Sequence, residues 1–96
     1  MATDCWLVYM IICDDKTLYT GITNDLERRF RQHIQRKGAK YFRARQPVRI
    51  VYQEQCADRS LATKREIAIK KLNKQEKQNL IYSQLNEVKN DDANDF

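Results

Sequence analysis

Five side chains spread between positions 9 and 66 of the sequence carry chemistry: the phenols of Tyr9 and Tyr19, the guanidinium of Arg29, the imidazole of His33 and the carboxylate of Glu66. Together such groups can orient a phosphodiester, activate a water and hold one divalent metal ion. Tyr9 sits in Leu7-Val8-Tyr9 and Tyr19 in Tyr19-Thr20-Gly21, at the two ends of what reads as a β-hairpin. Arg29 and His33 are four residues apart, so a helix carries both on one flank. Glu66 is a lone acid further on. This is the residue set of a small nuclease, provided the chain brings the five together.

The elements that must do so are readable in outline. Cys5 to Cys13 is rich in β-branched and aromatic residues and stops at Asp14-Asp15-Lys16, so it is predicted as a buried strand ending in a turn. Thr17 to Ile22 returns as its antiparallel partner, broken by Gly21 and Asn24. A three-residue loop sets Tyr19 opposite Ile11, and period-two alternation then puts Tyr9 and Tyr19 on one face; a two-residue loop separates them. Asn24 with Glu27 resembles a capping box, and Leu26, Phe30 and Ile34 recur at helical spacing until Gly38, which predicts a helix over Asn24 to Lys37.

From Lys37 to Arg49 no period is visible, and basic groups interleave with Tyr41 and Phe42. That pattern is expected of a loop facing phosphates, with Lys37, Lys40, Tyr41, Arg43, Arg45 and Arg49 as its contacts. Val48 to Gln53 alternates as a third strand. Asp58 or Ser60 caps a second helix to about Leu72, with Leu61, Ala62, Ile69 and Leu72 inward and Glu66 bordering the core. Asn73 with Glu76 opens a third helix through Leu80, Ile81 and Leu85. The acidic segment from Asn86 to Phe96 has too little apolar content to fold and is expected to fray, leaving residues 1–85 as one domain. The fold class is therefore α+β, a three-stranded antiparallel sheet with about three helices.

Length and charge narrow the partners. A chain of 96 residues suits a single modest core. Its net charge of +5, despite the acidic end, implies an anionic partner such as nucleic acid. The apolar run Trp6 to Cys13 is far short of the roughly 20 residues a membrane helix needs, so no membrane role is expected. Cys5, Cys13 and Cys56 form neither a disulfide framework nor a zinc spacing; they read as core fillers in a reducing cytoplasm.

Taken in order, Leu7-Val8-Tyr9, Leu18 to Thr23, Asp25 to Phe30 with His33, Lys37 to Tyr41, Arg45-Gln46-Pro47 and Arg65-Glu66 with Ile69 to Leu72 resemble the GIY-YIG nuclease domain, most closely its small bacterial members of the UPF0213 type. The resemblance covers about Trp6 to Ile81. It implies hydrolytic cleavage of DNA with one divalent cation, Mg²⁺ or Mn²⁺, held at Glu66. It further implies Tyr19 as general base or partner to the attacking water, Tyr9 as its hydrogen-bonded neighbour, Arg29 on the phosphate oxygens, and His33 beside the tyrosines or the leaving oxygen. A free phenol titrates near pH ~10, so either tyrosine needs a nearby cation to act as a base at neutral pH. The chain departs from the family pattern with Leu7 for glycine in the first motif and Thr20 for isoleucine in the second. Asn79 stands at roughly the distance where larger relatives carry an asparagine.

Each residue also has an ordinary explanation. Tyrosines in strands pack, helix arginines are solvated, a lone histidine lies on a helix surface, and Glu66 pairs with Lys70 at i,i+4. Two other function classes follow: a noncatalytic nucleic-acid-binding module, and a subunit activated only by a protein partner. RNA is an alternative substrate.

Overall fold

The computed structural model describes residues 5–37 and 39–88. The elements run β1 (Trp6–Cys13), β2 (Leu18–Thr23), α1 (Leu26–Ile34), a 3-10 turn (Lys40–Arg43), β3 (Pro47–Cys56), α2 (Arg59–Lys70) and α3 (Lys74–Ile81). The strands form one antiparallel sheet in the order β2-β1-β3, with β1 in the centre. No helix among the described residues is long and apolar enough to cross a membrane.

Alternation along β1 builds two cores. Val8, Met10 and Ile12 face one side, where they meet Ala62 and Ile69 of α2 and Ile81 of α3. Full burial of each such large aliphatic side chain contributes about 1.5–3 kcal/mol. Tyr9, Ile11 and Cys13 face the other side, against Leu26 and Phe30 of α1 and Phe42 of the 3-10 turn. The sheet is thus sandwiched by helices, with the tyrosines on the α1 side.

The hairpin has the register that a three-residue loop demands: Tyr19 lies opposite Ile11 and Tyr9 opposite Gly21. Cys13 N–H donates to Thr17 O at 2.9 Å and Lys16 N–H to Cys13 O at 3.0 Å. Lys16 takes the left-handed φ of 69° that such a loop requires at its last position. The Asp15 carboxylate secures the exit by accepting from both the backbone N–H and the hydroxyl of Thr17.

Several boundaries differ from the sequence expectation. The N-cap of α1 is Asp25, not Asn24; its side chain accepts from Arg28 N–H, and Glu27 turns to Arg31 instead of closing a capping box. The helix ends before Gly38, because Arg36 itself adopts a left-handed φ of 61°. Lys37 N–H then returns to Gln32 O at 2.9 Å and Arg36 N–H to His33 O at 3.0 Å, a Schellman stop. The Arg36 guanidinium bonds to Arg43 O and Gln46 Oε1, which helps hold a conformation more often given to glycine.

β3 is longer than Val48 to Gln53, and its register shifts twice against β1, so simple alternation fails. Val48 is 53% exposed, Ile50 joins the tyrosine side, and both Val51 and Tyr52 enter the opposite core. On α2 the Asp58 cap, Ala62 and Ile69 are as expected, but Leu61 is 45% exposed, because a shallow helix–sheet contact reaches only a narrow stripe of the helix. α3 opens with the expected Asn73–Glu76 capping box and stops at Ile81, leaving Leu85 exposed.

Two features fix the β3 side. The Tyr52 hydroxyl donates to Glu54 Oε1, and Arg65 of α2 forks onto both Glu54 oxygens at 2.9–3.2 Å. The outer edge of β3 is capped by residues once expected to fray. Asn86 Nδ2 donates to Val51 O and Ile81 O, both at 2.8 Å, while its Oδ1 accepts from Gln53 N–H and Val88 N–H, both at 3.0 Å. Glu87 N–H donates to Gln53 O and its carboxylate accepts from Gln55 N–H. The domain therefore continues past 85, and the rest of the acidic tail, 89–96, lies outside the described residues. Replacing Asn86 with Ala removes all four of its side-chain bonds. Urea unfolding is expected to show a loss of roughly 2–3 kcal/mol, with Asn86→Asp, which sets a carboxylate against two carbonyl oxygens, losing at least as much.

Candidate active site

Tyr9 is placed by the centre of the sheet and is fully buried, its ring crossing the strand beside it. That crossing needs Gly21. A Cβ there would stand 2.6 Å from the Tyr9 hydroxyl oxygen, 2.8 Å from its Cζ and 3.0 Å from Tyr19 Cε2. The Tyr9 oxygen ends 2.8 Å from His33 Nε2, which the second half of α1 delivers to a fully buried position. Tyr19, half-buried, packs its ring edge-on to His33 with centroids 5.2 Å apart and lies 6.2 Å from Tyr9. Phe42 forms the floor, 4.8 Å from Tyr19 and 4.5 Å from His33 between centroids. Phe42, which interleaves with the basic groups of the expected phosphate-facing loop, is fully buried, because the 3-10 turn folds it under the site.

Burial dominates the electrostatics here. It pushes the Tyr9 phenol well above its ordinary value, and neighbouring Tyr19 raises it further. The adjacent Arg29 guanidinium works against that, and the Glu66 carboxylate adds a smaller upward push. The same burial, helped by Arg29, pulls His33 down to about 4. Tyr9 and His33 therefore meet as two neutral groups at neutral pH. His33 Nδ1 is buried with no partner, as is Thr20 Oγ1.

Arg29 and Glu66 thus lie within electrostatic reach of one phenol, although they come from α1 and α2. Arg29 Nη1 donates to Gln32 Oε1 at 3.0 Å. Both residues line a depression of about 240 Å³, with Thr23, Asn24, Asp25 and Arg28 as its other walls. The Glu66 side chain is 19% exposed and pairs with Lys70 at 3.1 Å, the i,i+4 partner anticipated from sequence. Among the described residues no group of three or more His, Cys, Asp or Glu could together hold a metal. One hard carboxylate already facing a cation fits a Mg²⁺ that keeps most of its waters and takes other oxygens from a bound phosphate.

The basic loop divides. Lys37, Lys40 and Arg43 are exposed. Tyr41 is half-buried against Tyr19, 5.3 Å between centroids, so it joins the aromatic rim. Arg45 stacks over Tyr41 at 4.3 Å and pairs with Asp15 at 2.8 Å, which ties the β1–β2 loop to this segment. Its charge is matched within the fold. Arg49 is a half-buried β3 residue opposite Ile12. Asn79 lies on an exposed face of α3, accepting from Gln75 Nε2 at 3.1 Å. The sequence reading missed Gln32, which orients Arg29, and Asp15, which holds Arg45. The i,i+3 spacing from Arg29 could have disclosed Gln32; nothing local discloses Asp15.

Compared with known families, residues 5–79 match the GIY-YIG catalytic domain. A UPF0213 protein of Desulfotalea psychrophila is 52% identical over 77 residues, covering 79% of this chain and 70% of that protein. The UPF0213 protein YhbQ of Escherichia coli K12 is 43% identical over 76 residues, covering 79% and 76%. The solution NMR structure of a UPF0213 protein from Bacillus halodurans superposes with a TM-score of 0.52 at 36% identity, covering 80% of this chain and 82% of that one. On the sheet order, the paired tyrosines and these likenesses, the chain belongs to the GIY-YIG family, among its UPF0213 proteins.

Proposed function

We propose that the protein is a metal-dependent nuclease that hydrolyses DNA phosphodiester bonds in the cytoplasm, in repair or recombination. What supports this reading is the meeting of Tyr9, Tyr19 and His33, drawn from β1, β2 and α1, with the charges of Arg29 and Glu66 near enough to act on the Tyr9 phenol. Packing alone accounts for two tyrosines. It does not account for an arginine and a glutamate whose charges both act on the Tyr9 phenol.

In this reading Arg29, its guanidinium steadied by Gln32, takes the non-bridging phosphate oxygens and meets the charge that builds on them. Glu66 would hold the divalent ion, releasing Lys70. A bound Mg²⁺ or Mn²⁺ supplies Lewis-acid stabilisation at the phosphate oxygens. Tyr19, the less buried phenol, contacts the attacking water. Tyr9 keeps its own proton and holds the aromatic pair in register through His33, which stays neutral. Water oxygen bonds to phosphorus as the bond to one sugar oxygen breaks; the water's proton passes to the Tyr19 hydroxyl, which gives up its own, and the departing sugar oxygen takes the released proton, so no net charge is left on the protein. Lys37, Lys40 and Arg43 are the exposed cations that grip the backbone, with Tyr41 at the rim and Arg49 and Arg45 in supporting positions. The second reading is a binding module that a protein partner activates. The i,i+4 pairing of Glu66 with Lys70 is what this reading needs, a carboxylate that serves only the surface of α2.

Incubation with single-stranded, duplex and branched DNA, and with RNA, separates the two. Parent protein with Mg²⁺ or Mn²⁺ is expected to cut DNA and to stop in chelator. Arg29→Ala and Glu66→Ala are each expected to lower the rate by about 100-fold or more. Variants that cut as fast as the parent would overturn the assignment; affinity without turnover would leave the partner-activated reading.

His33 generates a second prediction. Its folded-state value of about 4 lies below the ordinary 6.5, so the unfolded chain takes the proton first as pH falls. The stability tied to neutral His33 is complete above about pH 6.5 and declines towards pH 4. Between pH 7 and pH 5 the parent should lose about 2 kcal/mol from this group. Urea titrations of His33→Gln should show a flatter dependence over that interval; equal slopes would place the acid sensitivity elsewhere.

A further inference from the structure

Four cations among the described residues are matched by nearby acids. Arg31 is matched by Glu27 at 3.0 Å, Arg45 by Asp15 at 2.8 Å, Arg65 by Glu54 at 2.9 Å and Lys70 by Glu66 at 3.1 Å. Arg28 and Arg29, adjacent in the first half of α1, have no carboxylate at ion-pair distance among the described residues. Arg29 Nη1 donates to Gln32 Oε1, a neutral acceptor that steadies the guanidinium without cancelling its charge.

Both arginines open onto the depression of about 240 Å³ whose remaining walls are Thr23, Asn24, Asp25 and Gln32. At about 30 Å³ per water it has room for a phosphate group with part of its hydration. Asp25 contributes the one carboxylate of this lining, and that group is turned to its own helix, Oδ1 accepting from Arg28 N–H at 3.2 Å. Tyr9, Tyr19, His33 and Glu66 do not line the depression. It adjoins the reacting groups through Arg29 alone.

We propose that this depression is a second phosphate subsite, taking the phosphate next to the scissile one along the same strand, with Arg28 as its main cation and Arg29 shared between the two phosphates. The inference rests on the nuclease reading above and adds to it a direction for the strand: along the start of α1 and past the end of β2. Guanidinium groups suit the task because their forked donors match two oxygens of one phosphate. Asn24 and Gln32 add neutral donors that bind an anion without attracting a metal.

The test measures affinity for a labelled DNA oligonucleotide by fluorescence anisotropy in chelator over a range of salt, then the cutting rate with Mg²⁺. Arg28→Gln is expected to weaken binding roughly tenfold and to make the slope of log affinity against log salt shallower by about one. It should raise the half-saturating DNA concentration more than it lowers the saturated rate. Arg31→Gln, whose charge Glu27 already matches, serves as control and should change affinity by less than about twofold. A neutral methylphosphonate at the phosphate beside the cut should weaken the parent as Arg28→Gln does, and should add little to that variant. Arg28→Gln behaving like Arg31→Gln would refute the subsite, as would a fall in saturated rate with unchanged affinity. If the parent neither binds nor cuts nucleic acid, the nuclease reading itself falls, and the subsite with it. Binding that follows the expected salt slopes without turnover would uphold the subsite and reject catalysis by the chain alone.

Discussion

One close approach organises the site: the Tyr9 ring passes over Gly21, where a Cβ would stand 2.6 Å from its oxygen, and ends on His33 Nε2. A phenol buried without a partner would cost about 1–3 kcal/mol, so His33 must be there. For His33 to be there, α1 must turn its second half onto the sheet, and Phe42 must come beneath both. Gly21, Tyr9, His33 and Phe42 thus form one packing solution drawn from four elements. A change in any one of them moves the others.

The chemistry inherits its electrostatics from that packing. Burial keeps Tyr9 protonated and His33 neutral, so the charged groups stand around a neutral pair and do not mix with it. Arg29 and Glu66, of opposite sign, approach the phenol from different helices. That separation suits a substrate that is itself an anion. In the proposed nuclease reading, Arg29 would meet that charge directly and Glu66 would meet it through a metal ion. Among the described residues Arg31, Arg45, Arg65 and Lys70 are matched by acids inside the fold, whereas Arg28 and Arg29 at the start of α1 are not.

The frame that holds α2 at its distance is less apparent but equally physical. Arg65 grips Glu54 of β3 with two nitrogens while Tyr52 completes the acid's bonding, and Glu66, the next residue along, pairs with Lys70. Across the sheet, Asp14 and Asp15 join the hairpin loop to Arg45 and Gln46 through side-chain and backbone bonds. Asn86 satisfies the open edge of β3 and the end of α3 together. Each link spans more than 25 residues or joins two elements, so these contacts set the relative placement of parts that are locally stable.

The sequence by itself determined what depends on neighbours in the chain. The hairpin register followed from loop length and alternation, the starts of α2 and α3 from Asp58 and from Asn73 with Glu76, and the family from motifs in order. Local rules came close but missed by a residue or two at α1, where Asn24 and Asp25 compete to cap and where Arg36 stops the helix ahead of Gly38. Only the tertiary structure decided the shifts in β3, the exposure of Leu61, the burial of Phe42, the matching of Arg45 by Asp15 and the role of Asn86. The reason is common to all of them. Whether a side chain is buried, and whether its charge is matched, is set by partners 30 or so residues away, such as the 30 between Asp15 and Arg45, and no window of local periodicity contains them.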